Sequence, residues 1–315
     1  VIFGEGRAKD VYRRLVWGPG RRALGVLPPP DELRLLCAGG ALAGRLMGAR
    51  RARLCENIGR AFPNSALAWR EAVAVEAFAA HFANQYFSMA APKITAATLP
   101  GYLQIEGLDR LRAAQAGGRG VVLMHPHMGP AQLPLLALGR LGLPMHQVGG
   151  GRVVAVTLSP TGRWAAQTRA RLEAAMPVTL HDGKGFLRPV LRALGGGAVV
   201  MTACDATGGG EELGRRLPRV VLGHRFAMPV GPARLAHLAG APLLGISCWP
   251  NPDPKGPLYQ AQIEGPFALP AGRAAALEAG VDAAAAFLEG CLRRSPGQWL
   301  FWDGFAPGGL LGAVD

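Results

Sequence analysis

Long apolar runs are missing from this chain: none approaches the ~20 residues that a membrane-spanning helix needs, although half of all residues are hydrophobic. Cysteines are few and scattered. The five, at positions 37, 55, 204, 248 and 291, contain no Cys-x-x-Cys pairing, so the spacing predicts free thiols in a reducing compartment rather than a disulfide framework. Aromatic residues make up only 7%, and no zinc-finger, RNA-binding or helix-turn-helix pattern occurs, so nucleic acid is not an expected partner. There is no P-loop, no dinucleotide fingerprint, no internal repeat and no signal-peptide pattern. Acidic residues are also short, 21 against 34 basic ones. The resulting formal charge of +13 comes almost entirely from arginine. Such a surface attracts anions: phospholipid head groups, an acidic carrier protein or a phosphorylated co-substrate.

What is present is an alternation of helical and strand-like segments. Residues 1–28 mix arginine (Arg13, Arg14, Arg21, Arg22) with Val11, Tyr12, Leu15, Val16 and Trp17. That composition suits a segment at a membrane interface, with tryptophan at head-group depth and arginine reaching phosphates, and equally an N-terminal helix packed on the protein. Pro28–Pro30 end it. A helical stretch follows from Asp31 through the basic run Arg45–Arg53. A long alanine-rich helix is expected over about 66–90, capped by Asn64 or Ser65. A short helix at 108–115 leads into the central part.

Beyond it the pattern predicts strands at 121–124, near 145, and at 178–180, 198–203, 220–222, 243–248 and 259–263. Helices are expected through 141 and over about 161–175, 184–194, 232–238 and 273–292. Strands alternating with helices predict an α/β fold with a central, mostly parallel sheet flanked by helices, preceded by a helical N-terminal part.

The centre of the pattern is Arg119–Leu136. Here a strand-like run, Val121–Met124, breaks into His125-Pro126-His127-Met128-Gly129 and resumes as an apolar helix. In open α/β sheets ligands bind at the carboxyl ends of strands. His125 and His127 have a spacing that suits a metal, since residues two apart in extended chain point the same way. His127 alone also suits a general base, four residues before Gln132; and both histidines could simply cap the helix.

With these pieces in order, the chain resembles the bacterial lipid A biosynthesis acyltransferases, a lysophospholipid acyltransferase-like family, over roughly residues 30–303. The resemblance rests on Asn57-Ile58-Gly59-Arg60-Ala61-Phe62-Pro63, on His127-Met128-Gly129-Pro130-Ala131-Gln132, and on Asp205 at the end of a strand. It rests further on Gly231-Pro232-Ala233-Arg234-Leu235-Ala236 with Gly240-Ala241-Pro242, and on Pro296-x-Gln298-Trp299-x-x-Trp302. It departs in three places: Gln132 stands where the family's His-x4-Asp/Glu motif has its acid, Val221-Leu222-Gly223 replaces Phe-Phe-Gly, and Asp303 follows the last tryptophan where an arginine is expected.

The resemblance implies a glycerolipid acyltransferase-like domain over residues 31–315, and composition predicts residues 1–30 as a basic amphipathic membrane-interface segment before it. The resemblance also implies transfer of a fatty acyl chain from acyl-carrier protein or acyl-coenzyme A to a hydroxyl or amine of a membrane lipid, with His127 as base and no metal or other cofactor. The site would lie at the cytoplasmic face of the inner membrane, peripheral or anchored by a segment preceding residue 1.

A neutral Gln132 can orient an imidazole but cannot supply the charge that stabilises an imidazolium. The first candidate for that charge is Asp205, at the end of a strand expected to neighbour the His127 strand, with Gln132 orienting one of the pair. Asp182, next to His181, is the second, and Asp205 could also simply cap the glycine-rich loop that follows it. Arg152, Arg163, Arg188, Arg225 and Arg234, with His125, are the candidates for binding substrate anions, because guanidinium grips phosphate in two-pronged fashion. The Gly149–Gly151 and Gly208–Gly210 loops could let backbone approach a ligand. Two rivals stand beside this reading: a lipid-binding relative silenced by Gln132, and a metal-dependent hydrolase using His125, His127 and Asp205.

Overall fold

The computed structural model describes residues 6–149, 158–182, 187–205 and 214–306. Its strands are β1 (Leu103–Glu106), β2 (Val121–His125), β3 (Met145–Gly149), β4 (Val178–Asp182), β5 (Val199–Ala203), β6 (Arg216–Val221), β7 (His224–Pro229), β8 (Leu243–Pro250) and β9 (Tyr259–Phe267). Seven form one sheet in the order β1-β9-β8-β2-β5-β3-β4, parallel throughout except for the antiparallel β8–β9 pair. Strand β2 is central and buried along its whole length. Its continuous apolar run is what a parallel strand covered on both faces requires. Its side chains alternate between two cores: Val122 and Met124 face one together with Val200, Trp299 and Trp302, and Val121 and Leu123 face the other with Val199 and Leu136.

Strands β6 and β7 form a separate antiparallel hairpin. Its two-residue turn, Leu222-Gly223, has positive φ at both positions (51° and 78°), the backbone a tight hairpin favours. The expected 220–222 strand is thus the end of a longer one, and β7 was not anticipated. Nor was β1, whose mixed sequence Leu-Gln-Ile-Glu carries too short a pattern to read.

The helical N-terminal part lies before β1. The stretch expected to run on from Asp31 is two helices, Asp31–Leu46 and Gly48–Ala61, broken at Met47, and the Arg51 guanidinium caps the first by binding the Gly44 and Arg45 carbonyls. The first packs on the Leu67–Ala90 helix through Gly40, where a Cβ would lie 2.6 Å from the Phe78 carbonyl oxygen. Neither Asn64 nor Ser65 caps that long helix. Ser65 instead donates to the Phe62 carbonyl and accepts from Arg70, and Ala66 occupies the cap position without a side-chain bond.

Before Pro28 the chain is helical over Arg7–Leu15 and Arg21–Val26, joined by a π-type turn at Val16–Gly20. Trp17, expected at head-group depth, is buried instead, edge-on to Tyr86. Val11, Leu15 and Val26 remain exposed.

Candidate active site

The site follows from strand register. β2 and β5 are adjacent and parallel, with His125 beside Ala203, and the Cys204 N–H continues the ladder to the His125 carbonyl at 2.9 Å. Two residues past each strand end, His127 and Asp205 therefore arrive side by side. The Asp205 carboxylate accepts from the His127 ring at Nδ1 (2.7 Å) and from the His127 backbone N–H (2.8 Å). Its third donor is the Trp299 indole N–H, at 2.9 Å on the same oxygen as the backbone N–H. A carboxylate only accepts, so the proton of the neutral ring sits on Nδ1 and Nε2 carries the lone pair.

Asp205 is wholly buried, whereas 29% of the His127 side chain is exposed, so the carboxylate is shielded from water while the imidazole can meet a substrate. Burial by itself disfavours charge on both groups. For His127 the neighbouring carboxylate outweighs burial and raises its pKa above the ordinary value. For Asp205, burial pushes upward but His127 and the three donors hold its pKa below the ordinary carboxylate range.

The segment after the last helix locks this arrangement. Gly129 N–H donates to the Gln298 carbonyl (2.7 Å), Leu300 N–H donates to the His127 carbonyl (3.0 Å), and Met128 bridges to Trp299. Gly129 turns with φ 51°, and a side chain there would meet Gln298 Oε1 at 2.9 Å. The Trp299 ring is fully buried and lies at right angles to Trp302, with centroids 4.9 Å apart, while Phe301 lies 4.8 Å from the His127 ring. Asn57 donates to the Trp302 carbonyl and Phe62 packs 6.2 Å from the Trp302 ring. The Asn57–Pro63, His127, Asp205 and Pro296–Trp302 segments, remote in sequence, thus converge on one turn.

Gln132 does not join this constellation. It begins the Gln132–Arg140 helix, half-buried, and among the described residues it makes no hydrogen bond to His127 or Asp205, so the expected orienting contact is not formed. His125 is buried, its Nδ1 3.1 Å from the Pro126 carbonyl oxygen, and burial followed by the adjacent His127 lowers its pKa to about 4. It is therefore a neutral neighbour near pH 7 rather than a cation facing substrate. Asp182 ends β4, three strands away from β2.

His181 stacks with His146 on the neighbouring strand (His146 Nδ1 to His181 Nε2, 2.8 Å), and His224 contacts the Arg60 carbonyl at 3.0 Å. Arg163, Arg188, Arg225 and Arg234 are exposed on four different elements, and Arg163 also donates to the Leu158 carbonyl. Arg152, Gly150–Gly151 and the Gly208–Gly210 loop lie outside the described residues. The ligand set foreseen for a metal is not arranged as one, since His127 Nδ1 is directed at Asp205. Among the described residues no three His, Cys, Asp or Glu side chains converge as a metal site would need.

Sequence reasoning missed Trp299 as a partner of Asp205, and Phe301 as a wall of the His127 ring. The signal available was the Gln298-Trp299 pair within a recognisable closing motif, but a tryptophan in such a motif reads as core until its N–H is seen to need an acceptor.

A half-open imidazole can take a proton from a hydroxyl, and the buried carboxylate behind it stabilises the cation that forms. No curated protein matches the chain. The family model for bacterial lipid A biosynthesis acyltransferases matches residues 18–303, from the N-terminal π-type turn to the residue after Trp302, and so takes in every segment that converges on His127. The chain therefore belongs to the bacterial lipid A biosynthesis acyltransferase family, an acyltransferase family whose activity is acyl transfer to a lipid.

Proposed function

We propose that the protein moves a fatty acyl chain from the thioester of acyl-carrier protein or coenzyme A to a hydroxyl or amine of a membrane lipid, with His127 as general base and Asp205 as its carboxylate. The observation that carries this reading is the 2.7 Å bond between His127 Nδ1 and Asp205. The acceptor O–H gives its proton to Nε2 as its oxygen attacks the thioester carbon. The tetrahedral adduct then collapses, the C–S bond breaks, and the leaving sulfur takes the proton from Nε2. Asp205 stays ionised throughout and offsets the imidazolium charge. Neither a metal nor a covalent acyl-enzyme is needed.

The carboxylate that position 132 lacks thus comes from the neighbouring strand, and Gln132 is a tolerated variation. Arginines, among them Arg152, Arg163, Arg188, Arg225 and Arg234, would attract the anionic donor or head group. The enzyme would work peripherally at the cytoplasmic face of the inner membrane, on an anionic surface.

The test is transfer from labelled acyl-carrier protein and acyl-coenzyme A to a panel of lipid acceptors. Wild type turns over; His127→Ala and Asp205→Asn fall by about 10³-fold or more, the scale on which loss of a base or its charge partner acts. The rival is a silent lipid-binding relative, which Gln132 favours. Turnover only after Gln132→Glu, with lipid binding unchanged in His127→Ala, would establish that rival instead.

A further inference from the structure

Trp299 is the one donor to Asp205, among the described residues, that does not belong to His127 itself. Its indole cannot swing away, being fully buried against Trp302, Phe226 and Phe305. Its backbone is tied to the His127 turn on both sides, through the Gln298 carbonyl and the Leu300 N–H. One three-residue segment therefore holds the base by its backbone and the carboxylate by a side chain.

We propose that Trp299 is a positioning residue of the His127–Asp205 pair: its indole N–H shares the charge of the buried carboxylate, so that the imidazole can stand neutral with Nε2 open to the acceptor proton. This deepens, and rests on, the reading of His127 as a base. The physical reason lies in when the donor matters. While the ring is an imidazolium, Asp205 has a full counter-charge beside it. Once the ring is neutral, the carboxylate is a buried anion supported by N–H dipoles alone, and losing one of three is then most costly. Trp299 thus favours the neutral-ring state over the protonated one.

The sign separates this role from a structural one. Without the N–H, the pair should hold its proton to higher pH. If Trp299 merely packed the site, its loss would loosen the His–Asp contact and let His127 fall back toward an ordinary histidine. Among the described residues, the other titratable groups facing the pair are His125, lowered to about 4, Cys204, raised well above its ordinary value, and Cys291, raised to about 12, so none of these changes charge near neutral pH.

The experiment is an NMR titration of the full chain labelled with ¹⁵N-histidine, comparing wild type, Trp299→Phe and Trp302→Phe. Trp302 shares the aromatic cluster, but its own N–H goes to the Pro296 carbonyl, so it serves as a packing control. The His127 midpoint is expected to rise by about half to one pH unit in Trp299→Phe and to stay in place in Trp302→Phe. The acid limb of kcat/KM should move up with it. A midpoint that is unchanged, or that falls, overturns the proposal.

Should Trp299→Phe not fold, the wild-type indole proton decides. Its resonance is expected to titrate with the same midpoint as His127, and a flat response overturns the proposal. Absence of acyl transfer in wild type would defeat the acyl-transfer reading alone, because the titration reads Trp299 without turnover.

Discussion

The His127 imidazole carries two opposed influences, burial, which resists its charge, and the Asp205 carboxylate, which invites it, and the carboxylate wins. The acid limb of kcat/KM is therefore expected above pH ~6.5, the ordinary histidine value. In Asp205→Asn burial acts without the carboxylate, so the His127 midpoint should drop below ~6.5, read by the same histidine titration. The linked stability runs with matching signs. The raised His127 value favours the fold at pH below the unfolded histidine value and is lost as pH rises through the folded one. The depressed Asp205 value favours the fold above the unfolded carboxylate value and is lost as pH falls through the folded one. Urea unfolding of wild type against Asp205→Asn, carried from about pH 2, below the ordinary carboxylate value of ~3.9, to about pH 9, would reveal both edges as a difference that narrows at each end. Gln132→Ala, by contrast, should keep activity within about tenfold, since Gln132 bonds neither partner; a 10³-fold loss in the acyl-transfer assay would show that Gln132 contributes directly.

At the scale of elements, two adjacent glycines make opposite predictions. Gly39 sits in the exposed middle of the Asp31–Leu46 helix, with nothing within 4 Å of an added Cβ, so Gly39→Ala should stabilise by up to about 1 kcal/mol through helix propensity. Gly40, one residue on, faces the Leu67–Ala90 helix, and its Cβ would meet the Phe78 carbonyl oxygen at 2.6 Å and the Ala79 Cα at 2.8 Å. Both obstacles are backbone, so the helices must separate. That cost, about 1–3 kcal/mol or more, outweighs the propensity gain, and Gly40→Ala should lower the melting temperature. Thermal unfolding of the two variants side by side checks both.

The elements themselves were largely readable. The 108–115 helix coincides with its prediction, and the long alanine-rich helix and the later strands lie within a few residues of theirs. Apolar periodicity survives any packing, which is why these were legible. The β1 strand, the β7 return of the hairpin and the break at Met47 were not: β1 depends on β9, distant in sequence, whereas the hairpin turns on the Leu222-Gly223 backbone, tied by the remote Glu289 side chain, and the break on a local Arg51 cap, neither of which leaves a periodic signal.

For the molecule as a whole, no helix among the described residues is long and apolar enough to cross a membrane. Leu35, Leu42 and Leu46 are nonetheless exposed on one face of the Asp31–Leu46 helix, alongside exposed Arg34 and Arg45. With a net charge of +13, the protein is expected to sediment with vesicles containing anionic lipid. The bound fraction should fall as salt rises from ~0.1 M to ~1 M, where the Debye length shrinks from ~10 Å to ~3 Å. Equal binding to neutral vesicles would remove electrostatics from that account.

The sequence by itself determined the layered α/β architecture, through runs of apolar residues whose period identifies each element, and the candidacy of His127, through its place at the end of the most buried strand. Asp205 was also the first carboxylate the sequence offered it, but only tertiary structure decided between Asp205 and Asp182. Asp205 reaches His127 because β2 and β5 pair in register, and Trp299 reaches Asp205 because the chain's last described segment folds back along the His127 turn. Local periodicity carries no record of which strands become neighbours. The partner that looked absent at position 132 is therefore supplied by a residue 78 positions from His127.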